Sequence, residues 1–558
     1  MIPSGYKEDV VYSQIPTNGN GDLSFTRASN GTRINSAGLV EVCPWNNWTG
    51  SDNFSSTYWT GYALTPTTGT TSDIYGNSST VYKLIGSVTN SYCFINRISG
   101  GSQNTAFSVY AKPNGYTKIG ISNRSGGAWN FVVDLVTKVV SNISDSTSSI
   151  LSINVIDAVG DWKRIEVVVS SAIQYNLHPL PSNFNSTDFD NVTLNGTDGV
   201  WVMASQVNIG STAKPYFPTT DRLNVPRLTY QNGGGGCPSL LLEKQSTNIC
   251  LYSQDISNTS GSYWGDGSSG GTAVATANYA TSPDGTQNAT RLQLNEGSLY
   301  SVWQQVNFTT PSTSYTYSIW MKAVSGTPTI VFLYDGTGNR NITLTNEWVR
   351  YTWTFTAGST TIFRFGLWSS VWGTSSTADI LAWGAQCEIS SYSTSYIPTT
   401  SSSATRVADA CFKTGIGSLF GSSYTLFGQF VNLGINNTRL LTVKIPSGGN
   451  YDNFITIYQS GTGLIATGNN ASSVEQFNIS SGSYSVGQIL KFALRCVNND
   501  VAFYINGTQI GTDTSATIPA VTAIYVGNYV DIIESSIVNQ VVVFNSGLTN
   551  TQLSQLTA

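Results

Sequence analysis

Apolar and polar residues alternate along most of this chain. In Trp129-Asn-Phe-Val-Val-Asp-Leu135 the side chains of Trp129, Phe131, Val133 and Leu135 fall on one face. Ala106-Phe-Ser-Val-Tyr-Ala-Lys112 and Trp162-Lys-Arg-Ile-Glu-Val-Val-Val169 carry the same period of two. That period predicts half-buried strands. Asn506-Gly507, between two such runs, predicts a hairpin. Asn30-Gly31 and Ser36-Ala37-Gly38 suggest two more turns near the N-terminus. Only the tail reads as a helix. There Thr549 or Asn550 can cap a short one, with Leu553 and Leu556 facing the core.

The runs recur at long range. Met203-Ala-Ser-Gln-Val-Asn-Ile-Gly-Ser-Thr-Ala-Lys-Pro-Tyr-Phe-Pro-Thr-Thr matches Trp383-Gly-Ala-Gln-Cys-Glu-Ile-Ser-Ser-Tyr-Ser-Thr-Ser-Tyr-Ile-Pro-Thr-Thr. Gln206 precedes Pro218 by 12 residues, and Gln386 precedes Pro398 by 12. Upstream, Trp59 matches Trp264, Tyr110 matches Trp320 and Trp162 matches Trp348. Tyr110 to Trp162 spans 52 residues where Trp320 to Trp348 spans 28, so the length difference belongs to a connection. A match of this kind is the mark of a duplicated unit. The tryptophans repeated in register, Trp59, Trp162, Trp264 and Trp348, read as core-packing residues.

The layout is therefore an N-terminal β element at 1–42, a first unit at 43–230, its repeat at 237–409, and a different β unit at 410–558. The N-terminal element is too short to bury a core and must pack on another domain or subunit. Gln231-Asn-Gly-Gly-Gly-Gly-Cys-Pro238 is a flexible linker or a sharp turn. Many short strands in units of this size read as two-sheet jelly rolls or sandwiches, an all-β fold.

Composition narrows the function. Charged residues are 10% and aromatics 12%, so the surface is coated with Ser, Thr, Asn and Gly rather than ions. Net charge is −5 with Lys and Arg scattered, which gives no footprint for nucleic acid. No apolar run is long enough to span a membrane as a helix, and the start lacks the pattern of a signal peptide. Seven cysteines without a CxxC spacing read as buried free thiols. The Asn-x-Ser/Thr triplets, such as Asn47-Trp-Thr and Asn341-Ile-Thr, follow from composition. Low charge leaves β edges unguarded, which points to a homo-oligomer, a trimer.

Several motifs are familiar. Thr394-Ser-Tyr-Ile-Pro-Thr399, Gln386-Cys-Glu388, Thr405-Arg406, Pro238-Ser-Leu-Leu-Leu-Glu243, Thr247-Asn-Ile-Cys-Leu-Tyr-Ser-Gln-Asp255 and Phe25-Thr-Arg-Ala resemble modules of tailed-bacteriophage fibre and appendage proteins, including those of crAss-like phages. Tyr504-Ile-Asn-Gly and the final strand resemble a laminin-G or lectin-like sandwich. The resemblance implies tandem concanavalin-A-like or carbohydrate-binding jelly rolls in a structural virion protein. It implies a head fibre on the capsid, with a tail fibre or receptor-binding protein as the alternative. The implied place is the virion surface after assembly in the host cytoplasm. The implied partners are further copies of the chain, capsid or fibre-anchoring proteins, and host surface carbohydrate. A secreted carbohydrate-active enzyme or lectin is a third reading.

Candidate chemistry is sparse. His178, the single histidine, sits between Leu177 and Pro179 and reads as an exposed loop residue. Glu166, Glu243, Glu347 and Glu388 are scattered, without the paired carboxylates a glycosidase needs. No catalytic residue, metal ligand or cofactor is assigned; Asp73 and Asp284 are candidate calcium ligands, but one Asp per turn is far from the six to eight oxygens calcium takes, and Asp284-Gly reads better as a turn. Recognition falls to aromatics that can stack on sugar rings. Trp368, Trp372 and Tyr334 lie near expected loops of the repeat, and Trp45 and Trp48 lie in Pro44-Trp-Asn-Asn-Trp48. Trp368 and Trp372 are either such ligands or core residues.

Overall fold

A computed structural model describes the chain except residues 4, 13–21, 100–103, 124–128, 171–173, 232–233, 258–263, 267–273, 296–299, 306–311, 335–337, 358–361, 368–372, 448–451 and 530–531. The fold is all-β, a set of antiparallel jelly-roll sandwiches with one short C-terminal helix. The chain divides into two compact units, Pro44–Arg222 and a second made of Met1–Cys43 with Leu223–Ala558.

Pro44–Arg222 is one sandwich. One sheet runs in the order Ile150–Asp157, Lys163–Val169, Thr105–Asn114, Val192–Ile209, Ser78–Ser91, Thr67–Ser72. The other runs Val140–Asp145, Trp129–Asp134, Lys118–Asn123, Gln174–Leu180, Phe94–Ile98, Thr60–Tyr62. Between them Trp59, Phe107, Ile119, Phe131, Ile165, Leu177 and Val202 are buried, the inward residues of alternating strands.

The second jelly roll has the same strand order. Its first sheet runs Val349–Thr356, Ser314–Ala323, Thr377–Ile389, Ala289–Asn295, Val274–Ala280, and its second Gly338–Thr343, Thr329–Tyr334, Ile362–Leu367, Tyr300–Gln305, Gly265–Asp266. Each strand pairs as its counterpart does. The bulge between Ser108 and Tyr110 recurs between Ser318 and Trp320. The longer first unit carries the strands Val140–Asp145 and Ile150–Asp157, which add one strand to the edge of each sheet and account for the extra length of its connection.

The third sandwich is assembled from three stretches of sequence. Its nine-stranded sheet begins with Gly5–Lys7, Val10–Tyr12 and Leu23–Thr26, the last paired to Ala410–Lys413. Its seven-stranded sheet begins with Arg227–Thr229 and Ser239–Leu242, which pair with each other and then with Ser536–Phe544. Val11, Phe25, Leu228, Leu240 and Leu242 enter the same core as Leu426, Ile457 and Phe503. The N-terminal element thus completes a sheet of the last domain, the outlet for apolar side chains it could not bury alone. Arg227–Thr229 and Ser239–Leu242, at the ends of the two repeats as read from sequence, also pair into this sandwich. In the strand Ser423–Val431 a Cβ on Gly428 would lie 2.4 Å from the Phe492 ring, so that ring needs the glycine.

Turn chemistry is partly as the sequence reads. Asn506 and Gly507 take φ of 48° and 81° between Val501–Ile505 and Thr508–Asp513. Residues 36–38 turn between Gly31–Ile34 and Val40–Cys43, with Gly38 at φ 78°. Asn30-Gly31 is not a hairpin turn. Leu23–Thr26 pairs elsewhere because its neighbours in the third sandwich bury Leu23 and Phe25. Thr549 caps the helix Asn550–Thr557 in a capping box with Gln552, and Leu553 is buried.

Candidate functional site

The repeated stretch closes both jelly rolls with the same bonds. Gln206 Oε1 accepts from Phe217 N at 2.9 Å, and Gln386 Oε1 from Ile397 N at 2.6 Å. The Tyr216 hydroxyl meets Ser51 Oγ at 2.6 Å, and Tyr396 meets Ser253 Oγ at 2.6 Å. Thr219 N donates to Ser51 Oγ and Thr399 N to Ser253 Oγ. Asn248 donates to Ala385 O and Ile397 O, as Asn46 does to Ser205 O and Phe217 O. A buried amide or hydroxyl left unpaired here would cost about 1–3 kcal/mol, which explains the fixed spacing.

In the second unit the remaining motif residues converge on a buried ion network. Arg27 Nη1 donates to Asp409 Oδ1 at 2.8 Å, and Arg227 donates to both Glu243 Oε2, at 2.6 Å, and Asp409 Oδ2. Arg406 reaches Glu243 Oε2 at 3.1 Å, and Ser395 N donates to Glu243 Oε1 at 2.6 Å. Burial alone would raise the Glu243 carboxyl, but the guanidiniums of Arg406 and Arg227 hold it at about 2. Burial weakens the protonated form of Arg27, and Asp409 only partly offsets this. The network ties the N-terminal strands, the strand Ser239–Leu242 and the closing stretch together. Its acids and bases are spent on one another, so these motifs serve structure.

The sequence-chosen residues scatter. Trp48 is a core residue, 5% exposed, edge-on to Trp59 and Phe107 with Arg97 over its ring. Asn46 and Thr219 bond the backbone at Trp48 and draw this stretch under the sheet, which removes that ring from solvent. Trp45 is half-buried, its Nε1 donating to Pro215 O at 2.8 Å. Tyr334 ends the strand Thr329–Tyr334. Trp368 and Trp372 lie outside the described residues. Trp59 and Trp264 fill the inter-sheet cores, whereas Trp162 and Trp348 pack on the outer faces of their sheets, donating to Ser72 O and Thr281 O.

His178 departs from the sequence reading. It lies in the strand Gln174–Leu180, 2% exposed, with Nε2 at 2.9 Å from Ser122 Oγ and its ring against Phe94 and Phe189. The alternation that points Tyr175 and Leu177 into the inter-sheet core puts position 178 on the other face of the sheet, where Phe94 and Phe189 cover it. Asp73 accepts from Tyr75 N, Asn77 N and Ser79 Oγ, and Asp284 from Thr286 N, Thr286 Oγ1 and Ser282 Oγ, so both carboxylates are engaged within turns. Among the described residues no group of three or more His, Cys, Asp or Glu is placed to hold a metal. Among the described residues no helix is long and apolar enough to cross a membrane. The seven cysteines are free thiols, and all but Cys237 are buried.

A groove of about 490 Å³ opens on the second jelly roll. Gln293 and Asn295 at the end of Ala289–Asn295 form one wall, Ser325–Pro328 another, and Ser375–Asp379 the floor. The chain holds it in shape: Ser375 N donates to Thr329 O, Thr329 N to Ser375 Oγ, and Val324 N to Asp379 O, each at 2.9 Å. Arg291 clamps Asp379 with Nε at 2.8 Å from Oδ1 and Nη2 at 2.5 Å from Oδ2. The amides of Gln293 and Asn295 and the hydroxyls of Thr327, Ser376 and Thr377 belong to exposed residues. The first jelly roll fills the corresponding corner. There Tyr116 is 7% exposed, its hydroxyl accepting from Asn195 N at 3.0 Å, and Asp198 packs against Gly115. Sequence reasoning sought aromatics and missed these residues. Lining up Gly115-Tyr-Thr-Lys118 with Ser325-Gly-Thr-Pro328 would have pointed to the missing ring.

No protein-family model matches the chain, and no curated protein matches it. Among solved structures it is similar to a heptameric SAP-like pentraxin from Limulus polyphemus, at 19% identity and a TM-score of 0.21, over 25% of this chain and 70% of that one. It is similar to the CBM40 of the Ruminococcus gnavus IT-sialidase, at 16% identity and a TM-score of 0.22, over 25% and 85%. It is also similar to mouse laminin alpha1 domains LG4-5, at 11% identity and a TM-score of 0.19, over 50% and 90%. At scores this low the likenesses carry nothing over to this chain.

Proposed function

We propose that the protein is a non-enzymatic adhesion protein that binds glycans through the groove at Gln293, Asn295 and Asp379, displayed on a phage particle as a head fibre. The open polar groove on the second repeat, at a corner the first repeat fills with Tyr116, carries the adhesive reading. Exposed amides and hydroxyls match the alternating donors and acceptors of a sugar ring. Each such bond contributes about 0.5–1.5 kcal/mol, so one site is weak and many copies on one particle make it useful. The absence of turnover is supported by the buried acids: Glu243 is paired with arginines and Glu388 accepts from Ser246 and Thr394. Placement on the capsid rests on the motif resemblance, with a tail fibre as the alternative.

The test is a titration of the purified chain against host capsular and surface oligosaccharides. Gln293→Ala with Asn295→Ala should lower binding at least fivefold with an unchanged thermal transition. Unaltered binding would move the site elsewhere, and release of reducing sugar, lost on mutating a Glu, would make the protein an enzyme. Gold-labelled antibody on intact particles distinguishes capsid from tail.

A further inference from the structure

The groove carries one ionisable group among its described lining residues, the carboxylate of Asp379. The other polar lining side chains are amides and hydroxyls. Arg291 lies beside the groove and is engaged by its neighbours. Nε and Nη2 each donate one bond to Asp379, and Nη1 donates one to the Tyr279 hydroxyl at 3.1 Å. Its guanidinium also lies over the Tyr279 ring, 4.6 Å from the centroid, which holds it flat against that strand. Each Asp379 oxygen accepts one of these bonds and keeps a lone pair for a further donor.

Resting on the glycan reading of this groove, we infer that the site takes neutral sugars and rejects acidic ones. A neutral hexose offers hydroxyl donors to the free lone pairs of Asp379 and both donors and acceptors to Gln293 and Asn295. A uronate, sialate or sulfate brings an acceptor-only anion to a groove whose one described carboxylate is already matched by Arg291, so no net positive charge awaits it. It would shed water beside a carboxylate while Arg291 stays held by Asp379 and Tyr279, and discrimination comes from that unrepaid desolvation. Asp379 is in this sense a specificity-determining residue.

The experiment titrates the whole chain with matched neutral and acidic oligosaccharides, an unmodified hexose oligomer against its uronate and sialylated forms, at low salt. Neutral ligand should bind about tenfold or more tighter. Asp379→Asn frees Arg291 and should raise acidic binding while lowering neutral binding. Asn295→Lys, at an exposed position where folding is not at stake, should raise acidic binding in the same way. Equal or tighter binding of the acidic form, or an acidic-to-neutral ratio unmoved by Asn295→Lys, overturns charge selection while leaving adhesion standing. If the chain binds neither form, the adhesive reading itself falls, and this inference with it.

Discussion

Asp409→Ala is the sharpest test of how the second unit holds together. The carboxylate is fully buried and accepts from Arg27 Nη1, Arg227 Nη2 and the backbone N of Glu243, the last at 2.8 Å. Three buried guanidiniums, of Arg27, Arg227 and Arg406, share two carboxylates, Glu243 and Asp409. Removing one leaves Arg27 without an acidic partner in the network and Arg227 with Glu243 alone. Breaking a buried pair by removing one partner costs about 3–5 kcal/mol, because the other charge stays buried. The loss here lies at the upper end, since one carboxylate serves two cations. For a unit of this size 1 kcal/mol moves a thermal transition by about 1 °C, so a fall of about 4–6 °C is expected. Calorimetry reads it, and hydrogen exchange should show early opening of Leu23–Thr26, the strand that leads into Arg27. The transition of Pro44–Arg222, which holds none of these residues, should stay in place. Lys138→Ala is the control. Its pair with Asp157 is 42% and 61% exposed, and its loss should cost less than about 1 kcal/mol. A variant of Asp409 that melts within 1 °C of the parent, or one that shifts the other unit instead, refutes the reasoning.

The same network predicts an acid-sensitive unit. Glu243 is held at about 2, below its ordinary 4.5, so its contribution is complete above pH 4.5 and fades as pH falls toward 2. The loss is on the order of 3 kcal/mol, and Glu243→Gln should flatten that part of a melting-versus-pH curve. Gly384, at φ 70° with a built Cβ 2.8 Å from the Trp320 ring, should not tolerate alanine; about 1–3 kcal/mol is expected in urea melts. Its counterpart in the first repeat, Ala204, holds φ 56°, and Ala204→Gly should be neutral or stabilising by up to about 1 kcal/mol. Native mass should be a multiple of 59.8 kDa, a trimer by the reading of unguarded edges, and a monomer at micromolar concentration would count against assembly.

The candidate site was less legible than the fold. Aromatic rings were the natural guess for sugar recognition, yet Trp48 went to the core and Trp45 to the closing stretch. A tryptophan buries the same large apolar surface whether a ligand or a sheet covers it, and sequence does not say which comes first. Gln293 and Asn295 are not legible in the sequence, because single amides at a strand end carry no pattern. Their meaning comes from the Ser325–Pro328 and Ser375–Asp379 segments, which only the folded chain brings to them.

The sequence by itself determined the strands, the duplication, the capped helix and the all-β class. Those follow from local spacing: a period of two, a repeated Gln-to-Pro interval, and Thr549 placed three residues before Gln552. Tertiary structure alone decided which sheet the N-terminal strands complete, that Arg27, Arg227, Glu243, Arg406 and Asp409 meet, that Phe94 and Phe189 bury His178, and that one corner of the repeat stays open while the other is filled. The physical reason is that alternation gives a strand two faces and two edges but does not name what covers them. That choice depends on complementary surfaces far apart in the chain, and it is made only when all of them compete for burial together.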